Sequence, residues 1–342
     1  MPIRQWEHKV IGVVGMHNKL TLKRTLFYEL GAVTGTITLS DLWQPALSSI
    51  MSRSLLALVL CAASLTACSS IKIAYNYAPN YLSYRLNNYF NLDSQQQQLL
   101  NAELIDFTNW HSSTALPQYA ETLQRWSTRL DDKKSFTPEE VIVMYQQVQD
   151  AILELSLQAA KQLAPIAVTL RTTQTDQMRS RFESDNKDYA DDYLKNPTSS
   201  STRKKHHSRM LKRYEDWLGS LTEQQKISLI QLADRRAVTF SLWAHERELR
   251  QAALLETLNA QREKDPSQAE AALALYAKSL SDYRNPNLVS QQDSLRRDWA
   301  QTTAEILNSL TPTQTRYLKT KLRDYAEDFA RLTPTRLAQS NK

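Results

Sequence analysis

Cys68 is the residue whose surroundings predict the most specific chemistry. It follows an apolar run over residues 55–63, which begins just after the segment 51–54 with its single arginine. A positive segment, an apolar run of roughly ten residues and small residues at a cleavage site are typical of a secretory signal peptide. Cleavage just before Cys68 would place its thiol on the first residue of the exported chain.

The residues that end this segment are Leu65, Thr66, Ala67 and Cys68. They resemble the bacterial lipobox, Leu-x-Ala-Cys. The resemblance implies that Cys68 receives a diacylglyceryl thioether, that the chain is cut between Ala67 and Cys68, and that the new N-terminus is acylated. Ser69 follows where an aspartate would stand in retained lipoproteins, which implies transport to the outer membrane. We therefore predict a lipid-anchored protein of the cell envelope, facing the periplasm.

Residues 1–50 differ in composition from the rest of the chain. Four of the five glycines lie there, and Gly219 is the single glycine after Cys68. We predict that translation starts at Met51, that residues 1–50 are a mis-called N-terminal extension, and that residues 51–67 are the signal peptide. The alternative is a cytoplasmic extension with an uncleaved apolar anchor, for which the run is short, since a membrane span needs about 20 residues.

The histidines and carboxylates do not form a recognisable catalytic or metal motif. His111 and His245 lack the glutamate that di-iron helical bundles carry three residues earlier. The sequence also has no His-Glu-x-x-His helix, no glycine-rich phosphate loop and no Gly-x-Ser-x-Gly turn. We predict no metal, no cofactor and no catalytic residues. A pair of carboxylates that are distant in the sequence stays open as an alternative.

A group of tyrosines follows the predicted anchor closely: Tyr75, Tyr77, Tyr81, Tyr84 and Tyr89. Tyrosine has an apolar ring and a polar hydroxyl, which suits a membrane interface or a partner surface. The competing interpretation is core packing of the first helix, and that is the one the sequence favours.

A basic segment contains Arg203, Lys204 and Lys205, followed by His206 and His207. Adjacent residues of a helix point apart and the nearby cations repel a metal ion, so we predict a solvated basic face. This face could contact lipid headgroups, because basic residues are attracted to anionic membranes.

The overall charge gives no indication of nucleic acid as a partner. The chain has a formal net charge of +6, and residues 1–67 contain six basic and three acidic residues, which leaves +3 for the remainder. This mild balance and the predicted export both argue against nucleic-acid binding.

One glycine after Cys68 argues against a β-rich fold, because tight turns need residues that tolerate positive φ. Abundant Leu, Ala, Gln, Glu, Lys and Arg favour helices. We predict an all-α, elongated multi-helix bundle without a β-sheet. Four predicted helix starts combine a capping residue with Glu or Gln three positions later; the capping residues are Asp93, Thr137, Thr222 and Thr311.

The capping residues and the helix breakers together predict the following helices. These are about 81–90, 94–111, 115–130, 138–194 with a kink or break at Pro165, 204–218, 223–259, 268–283, 288–309 and 312–332. In the helix 223–259, an apolar stripe contains Ile227 and Ile230, and Glu246 and Arg250 are assigned to the polar side. The loop 196–202 divides an N-terminal part, residues 68–195, from a C-terminal part, residues 203–335, although the two could form one domain.

Two resemblances bear on function. Residues 73–79, 89–98 and 110–119 look like a family of uncharacterised proteobacterial lipoproteins, which carry a lipobox and a Tyr-Asn-x-Ala-Pro segment. This resemblance implies an envelope location and supplies no activity. The Leu-Thr-x-x-Gln starts at Leu221 and Leu310 also resemble a motif of small periplasmic helical chaperones, but a capping box explains the same letters.

We therefore predict a lipid-anchored protein that binds or scaffolds an envelope partner protein. Two alternatives remain open: a chaperone-like holder of envelope proteins, which predicts an exposed apolar patch, and an enzyme that acts on peptidoglycan or lipid, which predicts a pocket with converging carboxylates or histidines.

Overall fold

The computed structural model describes residues 70–132, 134–196 and 199–333, with the backbone alone at residues 70–74. The predicted extension, the signal peptide and Cys68 lie outside the described residues. Within these ranges all regular structure is helical, which confirms the predicted all-α multi-helix bundle. The contacts discussed below belong to the compact unit that begins at Tyr77.

Eleven helices of more than one turn follow one another in the described ranges. They are α1 Ser70–Phe90, α2 Ser94–Trp110, α3 Leu116–Arg129, α4 Pro138–Ala167, α5 Thr172–Tyr193, α6 Ser200–Leu218, α7 Glu223–Ala237, α8 Phe240–Ala260, α9 Pro266–Lys278, α10 Gln292–Asn308 and α11 Pro312–Arg331. A π-helical turn, His111–Ala115, connects α2 to α3, and short helical turns at Ser279–Ser281 and Pro286–Val289 connect α9 to α10. None of these helices is both long and apolar enough to span a bilayer.

Three of the four predicted capping boxes are present. Asp93, Thr222 and Thr311 each accept a hydrogen bond from the backbone of a glutamine three residues later, whose side chain bonds back to the cap residue. At the fourth start Thr137 accepts from the backbone N–H of Glu140, but the Glu140 carboxylate binds Arg129 instead. This start is therefore a simple N-cap, and the prediction of a full box there was wrong.

Two helix boundaries near prolines differ from the prediction. Helix α1 begins at Ser70 rather than near Tyr81, and it continues through Pro79. A proline inside a helix removes one backbone hydrogen bond but does not always end the helix. The break predicted near Pro165 occurs two residues later, because α4 includes Pro165 and ends at Ala167.

The single helix predicted over 223–259 is two helices, α7 and α8. Between them the buried Thr239 donates its hydroxyl to the carbonyl of Arg236, which competes with the helical pattern. The buried face of α7 contains Leu229, Leu232 and Ala233, at the spacing of one helix face. The predicted stripe was wrong here, since Ile227 is 49% exposed.

Helix α4 contacts α2, α9 and α10, and α3 packs along α11. The largest apolar cluster combines side chains from α1, α2, α4, α5, α8 and α9. A second cluster joins α6, α7, α10 and α11, with Leu123 and Trp126 of α3 packed against it. Both clusters therefore draw on helices from before and after the loop near residue 196.

Candidate functional site

Three tyrosines form an exposed stripe on α1. Tyr77 is 65% exposed, Tyr81 48% and Tyr84 63%. Their spacing of four and then three residues places them on one face of the helix. Core packing was the favoured interpretation for this group, and for these three tyrosines it was wrong.

The opposite side of α1 packs into the molecule. Leu82, Leu86 and Phe90 contact the largest apolar cluster, and Tyr89 is buried within it. The hydroxyl of Ser83 donates to Asn101 of α2 at 2.8 Å, which holds α1 against its neighbour. Tyr75 is partly buried. Because the inner face is fixed by these contacts, the tyrosine stripe is held facing outward.

This stripe is the densest set of exposed apolar side chains that the structure describes. Outside α1, the exposed large apolar residues are spread no more than one to a helix, turn or connection. They are Ile105, Val143, Ile227, Val238, Leu275, Val289 and Tyr317. Isolated apolar residues on a surface are normal, whereas several on one face indicate a contact surface.

The predicted basic segment lies in the first turns of α6, and its three cations are exposed. Lys205 forms an ion pair with Asp192 of α5 at 2.5 Å, and Arg209 reaches the same carboxylate at 3.1 Å. Lys205, and then Arg209, lower the pKa of the Asp192 carboxyl. The charge of Lys205 is thus partly neutralised by Asp192, which weakens the attraction of the basic segment for an anionic surface.

His206 does not belong to this solvated face. Its ring is buried, stacked on Tyr193 with 5.7 Å between centroids and packed edge-on against Phe240 at 4.8 Å. Burial lowers the pKa of His206. His207 points elsewhere and bonds Asp234 at 2.7 Å. The prediction of a solvated histidine pair was therefore wrong for His206, whose ring packs from α6 against α5 and α8.

Two pairs of buried glutamines join the starts of helices in the same way. The side-chain amides of Gln96 and Gln174 donate to each other at 3.1 and 2.6 Å, which joins the starts of α2 and α5. Gln225 and Gln314 do the same for α7 and α11. The capping boxes indicated three of these glutamines in the sequence. Gln174 was missed because Arg171, which precedes α5, is not a capping residue type.

These pairs give the four helix starts a common pattern, a leucine followed four residues later by a buried glutamine. The leucines are Leu92, Leu170, Leu221 and Leu310, and each packs in or against an apolar cluster. The pattern therefore has a structural explanation at all four positions. It provides no separate support for kinship with the helical chaperones.

Comparison with known proteins identifies a family for the central part of the chain. A family model described as "Family of unknown function (DUF6279)" matches residues 88–284. The chain belongs to the DUF6279 family. No curated protein and no solved structure matches it. The matched range includes the Gln96–Gln174 pair and the buried polar side chains described next, while the tyrosine stripe precedes it.

A buried ion pair lies inside the DUF6279 range, where sequence analysis placed a polar surface. Glu246 and Arg250 of α8 are 1% and 2% exposed and bind each other directly. The second carboxylate oxygen of Glu246 accepts from the backbone N–H groups of Arg284 and Asn285 at 2.9 and 2.8 Å. Both charges are satisfied, so the pair fastens the segment after α9 onto α8.

A second buried polar group in the DUF6279 range joins α1, α5 and α8. Tyr89 donates its hydroxyl to Asp185 at 2.5 Å, and Asn186 and Gln251 exchange amide hydrogen bonds at 2.7 and 3.0 Å. Arg247 is also buried and donates to Asn186 at 3.2 Å. Burial lowers the pKa of Arg247 and, with Asp185, raises the pKa of Tyr89 to about 12. These side chains bond to one another across α1, α5 and α8, and one guanidinium nitrogen of Arg247 is buried without a hydrogen-bond partner among the described residues.

An aromatic group surrounds the π-helical turn. The ring of His111 stacks on Phe107 at 6.3 Å and meets Tyr119 edge-on at 5.8 Å, and Tyr119 in turn contacts Phe329 of α11. Burial lowers the pKa of His111 to about 4. This group joins the turn between α2 and α3 to the last helix.

The described surface contains a shallow open depression at the junction of α6 and α7. It is lined by Glu215, Gly219, Ser220, Leu221 and Lys226, with one carboxylate and no histidine. Across the described residues, no three His, Cys, Asp or Glu side chains are grouped so that they could hold a metal ion.

Proposed function

We propose that this DUF6279 protein is a lipid-anchored protein of the cell envelope, held through Cys68 in the outer membrane and facing the periplasm. We further propose that it acts by binding or scaffolding an envelope partner. The observation that carries the proposal is the sequence Leu65-Thr66-Ala67-Cys68 at the end of a signal-peptide pattern.

The position of the first helix supports an anchor at this point. Helix α1 begins at Ser70, two residues after Cys68. A short connection of this kind would keep the helices beside the membrane. A single acyl chain gives only marginal binding, and the lipoprotein modification supplies more than one, which is sufficient for stable anchoring.

A binding role is favoured over catalysis by the distribution of polar groups. Several buried polar side chains that the structure describes bond to one another, as in the Glu246–Arg250 pair and the Asn186–Gln251 pair, and are not directed into an open pocket. The exposed tyrosine stripe, by contrast, offers contact area without reactive groups. A surface of this type can bind a membrane or a protein, and it carries no groups that would transform a substrate.

The test is intact mass combined with membrane fractionation of the native protein. We expect a chain that begins at Cys68, carries acyl chains and fractionates with the outer membrane. Cys68→Ala should lose the acyl mass and retain the uncleaved signal segment. Cys61→Ala is the matched control, since Cys61 lies in the apolar run and would leave with the signal peptide. An unmodified chain that keeps residues 1–50 would overturn the proposal.

A further inference from the structure

We infer that the tyrosine stripe of α1 is a second membrane contact, and that α1 lies along the bilayer surface with Tyr77, Tyr81 and Tyr84 in the headgroup layer. This inference rests on the proposed anchor at Cys68. It goes beyond the anchor in two respects: it names a phospholipid surface as what contacts the exposed face of α1, and it specifies how α1 is oriented on that surface.

The chemistry of the stripe fits a lipid–water interface. A tyrosine ring can enter the acyl boundary while its hydroxyl stays hydrated, which is why tyrosine is enriched at membrane interfaces. The three rings are exposed and share one face, whereas the inner face of α1 is occupied by core contacts. A helix that lies in an interface places one face in the headgroup and acyl boundary, and on α1 the exposed tyrosine face is the one available for this contact.

Location and charge point to lipid rather than to a protein partner. Tyr77 follows the predicted acylated residue by only nine positions. Within Ser70–Phe90 there are two basic residues, Lys72 and Arg85, and no Asp or Glu. A helix without carboxylates is not repelled by anionic headgroups.

The length of the stripe determines the orientation. Seven residues separate Tyr77 from Tyr84, which is about 10 Å along a helix. The headgroup layer is roughly 5–8 Å deep on each side of a bilayer. All three rings can occupy that layer together only if α1 is inclined to the membrane surface by less than about 30–50°, so a helix that stands upright on its anchor is excluded by this inference.

The experiment places a fluorescent label at one tyrosine position at a time in the full, lipidated protein. Cys61 would be lost with the signal peptide and the Cys68 thiol would be blocked by its diacylglyceryl thioether, so an introduced cysteine is the one thiol that reacts. The variants are Tyr77→Cys, Tyr81→Cys and Tyr84→Cys. Val238→Cys is the matched control, because Val238 is 76% exposed and lies between α7 and α8. Vesicles contain phosphatidylethanolamine, phosphatidylglycerol and a quencher attached to the headgroup.

We expect the label to shift toward the blue and to be quenched at all three tyrosine positions, and to remain water-exposed at Val238. Quenching at the tyrosines no greater than at Val238, in protein that is acylated and vesicle-bound, would overturn the inference and leave the anchor intact. Quenching at Tyr77 alone would overturn the inferred orientation. If the unsubstituted chain reacts with the dye at Cys68, the anchor itself fails and the inference fails with it.

Discussion

Gln225 and Gln314 hold each other through their side-chain amides, with the Nε2 of each donating to the Oε1 of the other at 3.2 and 2.8 Å. Each oxygen also accepts from the backbone of its own cap residue, Thr222 or Thr311. Each nitrogen also reaches a carbonyl at the opposite helix start, Ser309 or Ser220. One glutamine pair thus caps two helices and fixes their relative position.

Replacing one member of this pair should destabilise the fold. Gln314→Met keeps the volume of the side chain but removes both hydrogen bonds between the two amides and the side-chain donor to the Ser220 carbonyl. A buried polar group left unsatisfied costs about 1–3 kcal/mol of unfolding free energy. Urea denaturation monitored by circular dichroism measures this loss.

The control for that substitution is Gln118→Met, since Gln118 is exposed on α3. The double variant of Gln225→Met and Gln314→Met should cost less than the sum of the single losses, because no amide is then left without its partner. Additive losses would show that the two side chains do not act as a pair.

Removing the buried carboxylate of Glu246 should be more damaging. Glu246→Leu leaves the charge of Arg250 buried and removes the acceptor of two backbone N–H groups. Breaking a buried ion pair on one side costs about 3–5 kcal/mol. Glu248→Leu is the matched control two residues away, at an exposed position. Similar denaturation midpoints for the two variants would show that the Glu246 contacts contribute little.

Acid should destabilise the protein through His111. Its pKa falls from the usual 6.5 to about 4 in the folded state, so the unfolded state takes up the proton first as the pH falls. The stability associated with the neutral ring is complete above about pH 6.5 and decreases between there and about pH 4. We expect a lower urea midpoint at about pH 5 than at about pH 7, and a smaller difference in His111→Phe. An unchanged difference in that variant would exclude His111 as its source.

High pH should destabilise the protein because Tyr89 and Tyr276 resist ionisation in the folded state. Burial raises the pKa of both to about 12, so the folded state retains these protons while tyrosines of the unfolded chain lose theirs near pH 10. Their contribution is complete below about pH 10 and disappears as the pH approaches about 12.

Tyr89→Phe removes one of these two ionisable hydroxyl groups. The dependence of the unfolding free energy on pH above 10 should then be less steep by up to about 1.4 kcal/mol per pH unit. At neutral pH the variant should lose about 1 kcal/mol, because the hydrogen bond to Asp185 is absent. If the unfolding free energy depends equally on pH in the variant and the parent, the pKa of Tyr89 is the same in the folded and unfolded states.

The helix starts could be predicted from the sequence because a cap depends on residues within one turn of each other. Asp93, Thr222 and Thr311 are each followed by their glutamine three positions later. The all-α class followed from the same local signals and from the scarcity of glycine. The pairing of Gln225 with Gln314 could not be predicted, since the two lie 89 positions apart.

The sequence was least informative about which charged and aromatic residues are buried and which are exposed. Glu246 and Arg250 have the spacing of an exposed surface pair, yet they are buried and bonded to the segment that follows α9. Tyr77 and Tyr89 are the same residue type on the same helix, yet one is exposed and the other lies in the core. Which face of α1 is covered depends on α2, α5 and α8, and the local pattern does not contain that information.

The packing of α3 against α11 also sets an order of events during synthesis. Asp131, just after α3, lies 188 positions before its ion-pair partner Lys319 in α11. At about 5–20 residues per second, the ribosome completes α11 roughly 10–40 s after α3. Throughout that interval α3 lacks its contacts with α11, although α6 and α7 are made earlier and belong to the same cluster as Leu123 and Trp126. The native covering of α3 is therefore completed only after the last helix has been made.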